Sequence, residues 1–462
     1  MDQNKWLDLV KYDIPTPRYT SYPPAPFFRE DPDAMNYGAL LRESNETGQR
    51  NLGFYFHVPF CPKRCLFCGC STEIGRAPAF IRDYMESLPV EFDRVAAYIS
   101  SERPVTQIHF GGGTPNAVPF KYLRALLDQI RSRFTLDPHA ELAIECDPNL
   151  VSEAKLEDLR AMGFNRVSFG LQDFNREVLA AVNRGFPPLA PDRLISLSHA
   201  LGFRGINLDL IYGLPLQTPV RFLETIKKTL AANPDRISLF PYAHVPWVKE
   251  HQKKLESMRS PDATERLEIA YAAREAITAG GYVSIGMDHF AKPEDDLAVA
   301  LKNGNLRRNF QGYCSAEKSG QIYALGASAI SQLQNGFLQN VKDAGQYVDR
   351  IKAGGLAYDK AYRLKPQDYP VSDIIQDLLC NACADVGNIV RKSAMDPDWK
   401  RTYLETSHRK LHPYVKDGLV EETKDFITLT ERGRYVSRLI AAAFDPLVEE
   451  TALTGPRYSK SL

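Results

Sequence analysis

Four of the eight cysteines fall within ten residues, in the stretch CPKRCLFCGC that carries Cys61, Cys65, Cys68 and Cys70, whereas Cys146, Cys314, Cys380 and Cys383 are scattered. Thiols so spaced in a chain of cytosolic character are read as metal ligands before disulfides. Zinc prefers four ligands, usually two C-x2-C pairs across a longer spacer, and no second pair lies nearby. The C-x3-C-x2-C spacing of Cys61, Cys65 and Cys68 suits iron and sulfur instead. Three thiolates hold three irons of a cubane and leave the fourth open to a small molecule. Packing as small apolar residues does not fit cysteines flanked by Pro62, Lys63, Arg64 and Gly69. Cys70 stays outside the ligand set, because a fourth thiolate would close the reactive iron.

The elements that must position this loop are legible between about residues 50 and 245, where short β-branched or aromatic runs alternate with amphipathic helical patterns. Six strands are expected: Gly53 to Val58, Thr106 to Phe110, Glu141 to Cys146, Arg166 to Gly170, Ile206 to Ile211 and Arg236 to Tyr242. Repeated βα units give an α/β fold with a parallel sheet, and six are too few for a closed eight-unit barrel, so a partial (βα)6 TIM-like barrel is expected. The cysteine loop follows strand one, at the carboxyl end where barrel enzymes place their chemistry. Gly111 to Pro115 follow strand two, Glu145 ends strand three, Gln172 follows strand four and Asp209 lies in strand five. Each polar residue alone is as well explained by a satisfied core group as by a ligand; their convergence on one rim is the argument.

Three regions are expected. Residues 1–50 form an extended, proline- and tyrosine-rich covering segment, a candidate lid; residues 51–365 form the barrel with its extension; residues 366–462 form a helical cap whose strand, turn at Lys424 and Asp425, strand and helix resemble a winged helix. A DNA-reading role would need a basic helix, and Arg432, Arg434 and Arg438 stand there with Glu431 and Asp445.

Cys61, Cys65 and Cys68, with Phe67 before the last, resemble the C-x3-C-x-Φ-C signature of the radical S-adenosylmethionine (SAM) enzymes. The resemblance narrows further. PRYTSYP at Pro17 to Pro23, Tyr55 with HVPF, the CGC of Cys68 to Cys70, HFGGGTP, NRVSFGLQDFN, NLDLIYGLP, YAHVP, GMDHFA and NFQGY recur in order and look like the oxygen-independent coproporphyrinogen III dehydrogenase family. It spans essentially the whole chain. The resemblance implies a [4Fe-4S] cluster on Cys61, Cys65 and Cys68 and two SAM molecules, the first cleaved by an electron from the reduced cluster to a radical that abstracts a substrate hydrogen. It implies that Tyr55, Gly112 and Glu145 contact the cluster-bound SAM. Phe67, Gly113, Thr114, Gln172, Arg184, Asp209, Ala243 and Ile330 would contact the second. The implied reaction is oxidative decarboxylation of two propionates of coproporphyrinogen III to vinyl groups, giving protoporphyrinogen IX in haem synthesis, with an unidentified low-potential electron donor. A haem chaperone and a haem-degrading enzyme of the same superfamily are the alternatives; the PRYTSYP segment and Cys70 favour the dehydrogenase.

Two departures stand out. Family members continue VNR with one residue and then Gln, whereas Gly185 and Phe186 follow Arg184 here. Cys380 and Cys383 form a C-N-A-C pattern expected on a helix, without enough neighbours for zinc. Arg18, Arg307 and Arg308 are candidates for the four substrate carboxylates. His57 and His289 are expected to be structural.

Composition agrees with this reading. At 44% hydrophobic and 25% charged residues the chain is an ordinary globular one, and 57 basic against 57 acidic residues give no global field toward nucleic acid or anionic lipid. With no signal-peptide core and no apolar run of about 18 residues, a cytoplasmic protein bound to neither membrane nor nucleic acid is expected, a monomer by family resemblance.

Overall fold

A computed structural model describes residues 6, 8–29, 37–47, 50–448 and 458–460. Six parallel strands, β1 (Leu52–Val58), β2 (Val105–Gly112), β3 (Leu136–Cys146), β4 (Arg166–Gln172), β5 (Gly205–Tyr212) and β6 (Arg236–Pro241), lie side by side in chain order. Helices α1 (Pro78–Ala96), α2 (Phe120–Arg133), α3 (Glu153–Ala161), α4 (Pro191–Ala200) and α5 (Pro219–Ala232) supply the crossovers. The strands are apolar on the face the helices cover, with Phe54, Phe56, Ile144, Phe169 and Leu208 in the core, whereas the alternate residues Tyr55, His109, Glu145, Ser168 and Asp209 face the barrel interior; in β1 six of seven residues are buried. The sheet does not close. All six carboxyl ends share one rim, so residues far apart in sequence meet there.

The sheet extends beyond the six expected strands. Beyond β6 lie two antiparallel strands, β7 (Val283–Ile285) and β8 (His289–Ala291), and β1 is flanked by parallel Gln321–Leu325, then antiparallel Ile330–Leu333, Gly336–Asn340 and Tyr358–Arg363. These strands are only three to six residues long, and several follow one another through tight turns, with the helix Ala344–Lys352 intervening before Tyr358–Arg363, which is why the βα rhythm did not announce them. Buried Glu91 of α1 ties this extension down, accepting hydrogen bonds from Gly326 N (2.8 Å), Asn340 Nδ2 (2.6 Å) and Tyr347 Oη (2.7 Å).

At the opposite end of the barrel, Asp295 is buried between Arg236 (2.8 Å) and Arg166 (3.4 Å), and Arg166 also reaches Glu141 (3.2 Å). Asp295 additionally caps a short helix by accepting from Leu297 N. Gly205 makes room, since a Cβ there would stand 2.5 Å from the Arg166 guanidinium carbon.

The N-terminal segment is not an extended surface strap. Tyr19 and Tyr22 are buried and donate to Asp445 (2.9 and 3.2 Å), Phe28 stacks on Phe337, and Arg29 bridges the edge strand at Ala361. Aromatic area decides this outcome over polar exposure. Residues 37–47 form a helix, which the covering-segment reading did not foresee.

In the C-terminal part, Val420–Thr423 and Phe426–Leu429 flank the expected turn, with Lys424 and Asp425 both at positive φ. A third strand, Cys383–Asp385, joins them, so Cys383 is not helical: Ala382, at φ 56°, ends the preceding helix (Asp368–Asn381) just after Cys380. No helix among the described residues is long and apolar enough to cross a membrane.

Two measurements check this architecture. Asp295→Ala leaves Arg236 and Arg166 facing each other in the interior and should lower unfolding free energy by about 3–5 kcal/mol in denaturant titration. Burial pushes Glu91 up to about 7. The folded state therefore holds a proton that the unfolded chain releases, and stability contributed by Glu91 falls as pH rises from the ordinary carboxyl range to about 7. Glu91→Gln should remove this slope, at most about 1.4 kcal/mol per pH unit, from stability profiles between those limits.

Candidate active site

The cysteine loop is pinched at its base by parallel pairing of Phe60–Cys61 with Glu73–Ile74 and by Glu73 N donating to Pro59 O (2.8 Å). Its carbonyls are held by side chains from distant segments. Asn183 Nδ2 donates to Arg64 O (2.7 Å), Gln252 Nε2 to Phe67 O (3.0 Å), His251 Nε2 to Cys68 O (2.9 Å) and Lys249 Nζ to Cys70 O (2.7 Å). A short irregular loop has no ladder to satisfy its backbone, so these side chains fix its shape.

The thiols differ in environment. Cys61 lies 3.2 Å from Thr114 Oγ1, and burial pushes its thiol up to about 11. Burial also raises Cys65, opposed by Arg184 Nη1 at 3.6 Å. Cys68 is lowered, chiefly by the Cys70 thiol beside it, with Lys249 and Arg64 adding positive charge. Among the described residues no three His, Cys, Asp or Glu side chains converge as the ligands of one metal ion. Three thiols on one short loop, without a second C-x2-C pair, are a donor set that fits a cubane better than zinc.

On the rim beside the loop, Glu145 Oε2 accepts from Gly112 N (3.0 Å) and Oε1 meets His109 Nε2 (3.2 Å). Burial opposes its charge, yet His109 and the Gly112 N–H hold the carboxyl below its ordinary range. Tyr55 stacks on His109 and donates to His57 Nδ1 (3.1 Å); burial keeps His57 neutral, so its Nε2–H donates to Ser71 O (3.0 Å). His57 is thus a local strut, as expected. Gly112, at φ 112°, would place a Cβ 2.5 Å from the His57 ring, and at Gly113 a Cβ would lie 2.4 Å from Pro59 O. The glycines here make room for protein neighbours as well as leaving backbone near the mouth.

Arg184 forms an ion pair with Asp147 (3.0 Å) and donates to Gly170 O, bringing it against Gln172, whose amide lies over Gly170 and whose φ is 75°. A glutamine in the left-handed region at a strand end marks a position shaped for contact rather than for the ladder. Asp209 accepts from Ser168 Oγ (2.9 Å) and Asn207 Nδ2 (2.7 Å), and burial raises its carboxyl. Gln252 joins Phe67 and Ala243 by donating to both carbonyls. Ile330 packs with Phe28 and Phe337, in a cluster bordered by Phe310, which also lines an arginine-rich cavity. The departure after Arg184 leaves that residue's contacts intact: Phe186 turns outward under Arg176, 4.1 Å from its guanidinium.

A cavity of about 280 Å³ lies between strand ends, N-terminal segment and C-terminal helices, and an adjoining one of about 230 Å³ runs through the barrel interior from Glu145 and Asp209 toward Arg166 and Arg236. Both are bordered by Phe240, His289, Gln311 and Gly312. Six arginines line the first: Arg18, Arg266, Arg274, Arg308, Arg434 and Arg438, against Asp288 alone. Of the three arginines expected, Arg307 turns instead toward Asp377 (3.6 Å). Arg266, Arg274, Arg434 and Arg438 escaped sequence reading because they lie on three separate elements. His109, on the same face of β2 as Gly111, was signalled only by that alternation.

Residues 55–229 match the radical SAM superfamily model, the class that this sheet and cysteine loop define. Oxygen-independent coproporphyrinogen III oxidases of Synechocystis sp. and Pseudomonas aeruginosa are each 37% identical, covering 96% and 100% of this chain and 94% and 99% of their own. The solved structure of coproporphyrinogen III oxidase (HemN) from Escherichia coli, described as a radical SAM enzyme, superposes with a TM-score of 0.87 at 36% identity, covering 96% of this chain and 98% of that one. The chain belongs to the oxygen-independent coproporphyrinogen III oxidase family. Membership brings a [4Fe-4S] cluster and SAM as cofactors.

Gln252→Ala deletes the links to Phe67 and Ala243, each worth about 1 kcal/mol. Amide hydrogen exchange across residues 61–70 should accelerate about tenfold, while the base of the barrel around Asp295 keeps its protection.

Proposed function

We propose that the protein carries out oxidative decarboxylation of two propionate groups of coproporphyrinogen III, giving the vinyl groups of protoporphyrinogen IX in anaerobic haem synthesis. The observation that carries the reading is the arginine-lined cavity that shares Phe240, His289, Gln311 and Gly312 with the cavity beside Glu145 and Asp209, in a chain whose full-length relatives bear this activity's name. Arg266 is paired with buried Asp13 (2.6 Å), and the five other guanidinium groups of the lining share Asp288, a cationic excess that an anionic occupant would balance. Burial and the neighbouring Arg18 lower Arg438 to about 10, and burial with the neighbouring Arg274 lowers Arg434. Arg308 Nε is buried without a hydrogen-bond partner. Propionate carboxylates would supply both the missing charge and the missing acceptors.

When bound, a reduced [4Fe-4S] cluster with SAM supplies hydrogen-atom abstraction from an unactivated C–H bond. The chain contributes placement. Cys61, Cys65 and Cys68 would hold three irons, and Cys70 would stay outside the set. Tyr55, Gly112 and Glu145 would orient the cluster-bound SAM, with Glu145 accepting from its amino group. Phe67, Gly113, Thr114, Gln172, Arg184, Asp209, Ala243 and Ile330 would border a second SAM. The arginines anchor the propionates, and the described parts of the 1–50 and 366–462 regions together cover the mouth of the 51–365 unit and exclude water. A cytoplasmic monomer served by a low-potential electron donor completes the reading.

Anaerobically reconstituted protein given coproporphyrinogen III, SAM and a reductant should release carbon dioxide and form the divinyl product. Arg434→Ala should raise KM for the porphyrinogen about tenfold to a hundredfold, the worth of one charge-assisted hydrogen bond. Cleavage of SAM by the reduced cluster should be unchanged. Cleavage of SAM by the wild type without porphyrinogen conversion would overturn the assignment.

A further inference from the structure

The cysteine loop has an outward face that the decarboxylation chemistry does not use. Lys63 and Arg64 are exposed between Cys61 and Cys65. Against them packs the segment Trp247 to Lys254, whose 3-10 turn, Glu250–Leu255, places His251 next to Arg64 (3.5 Å). In that geometry residues three apart eclipse, so Lys254 follows His251 on the same face. In these two segments Lys63, Arg64, Lys249, Lys253 and Lys254 outnumber Glu250 and Glu256; Lys253 is paired with Glu250 (3.4 Å) and His244 with Glu256 (3.1 Å). The chain as a whole has no net charge, so this local excess of cations is a feature of the loop and its clamp.

Beside the cations stand two large apolar side chains, Trp247 and Val248, 46% and 66% exposed. Lone exposed apolar residues are ordinary, but an adjacent pair including Trp, rimmed by Lys, has the composition of a protein-binding face. The clamp also gives this face a direct connection inward. Its hydrogen bonds end on the carbonyls of Phe67, Cys68 and Cys70, within the loop that carries the ligand cysteines.

We propose that Lys63, Arg64, Trp247, Val248, Lys253 and Lys254 form the docking face for an acidic one-electron carrier protein that reduces the cluster. The inference rests on the cluster reading given above and adds the partner's chemistry and position. One electron leaves the carrier, for a flavin carrier converting its anionic hydroquinone to the neutral semiquinone with no proton released, and would enter the cluster, lowering its charge by one. Positive charge on the receiving face draws an acidic carrier into encounter, and the Trp247–Val248 pair supplies the apolar contact that holds it close to the loop.

The test compares two reductants under anaerobic stopped flow, following bleaching of the cluster absorbance in the reconstituted enzyme. Reduced flavodoxin and reduced plant-type ferredoxin probe the docking face, and dithionite, a small ion, does not need it. The double substitution Lys253→Glu with Lys254→Glu should slow reduction by both carriers about tenfold at low ionic strength, with the difference shrinking as salt is added, and leave the dithionite rate within about twofold. Trp247→Ser should slow the carriers with less salt dependence. Both variants leave the loop's hydrogen-bonding residues Lys249, His251 and Gln252 in place. Carrier rates that match the wild type in both variants, or a wild-type carrier rate insensitive to salt, would overturn the docking face while leaving the cluster reading intact. Absence of any dithionite-reducible iron–sulfur absorbance in the reconstituted wild type would overturn the cluster reading and the docking inference with it.

Discussion

The structure depends on how a short loop without secondary structure is made rigid. Its carbonyls at Arg64, Phe67, Cys68 and Cys70 take donors from Asn183, Gln252, His251 and Lys249, so four points on the loop are tied to two segments beyond β4 and β6. Each bond is modest alone, about 1 kcal/mol net. Together they determine where three thiols stand. The requirement for several strand ends to share one rim follows from this need, since no single βα unit could carry both the loop and its clamps.

Electrostatics then divide the site into regions with different tasks. Around the thiols, burial raises Cys61 and Cys65 while the Cys70 contact lowers Cys68, an asymmetry within one loop. In the mouth, Glu145 is kept ionised by His109 and the Gly112 N–H, whereas Asp209 is raised by burial. Beyond it, guanidinium groups outnumber carboxylates, and Asp288 is held low by His289, Arg308 and Arg18 against its burial. A polyanion with an apolar centre matches this sequence of environments: carboxylates toward the arginines, ring toward Phe240 and His289.

What the sequence disclosed followed from periodicity and local spacing. The six parallel strands were visible because each is a short apolar run followed by a longer amphipathic one, and the three thiols because their spacing is local. Lys424 and Asp425 were legible as a turn because two consecutive residues at positive φ favour such types. The extension of the sheet beyond β1 was not, since strands as short as Ile330–Leu333 leave no periodic trace. Nor were the clamp at Gln252 or the cavity's Arg274 and Arg434, because pairings across 185 residues, as between Gln252 and Phe67, have no signature along the chain. The N-terminal tyrosines misled for a related reason. Proline density correctly argued against helix around Pro23, but only the packed structure reveals that Asp445 awaits both hydroxyls.

That pairing of Tyr19 and Tyr22 with Asp445 joins residues more than four hundred positions apart. A chain still emerging from the ribosome can therefore assemble its sheet and cysteine loop before its last segment exists, but not the enclosure that both ends build. The cysteine loop and the strands that carry it lie upstream of Asp445 and make none of these contacts, so the enclosure is the part whose formation waits on joining the two distant segments.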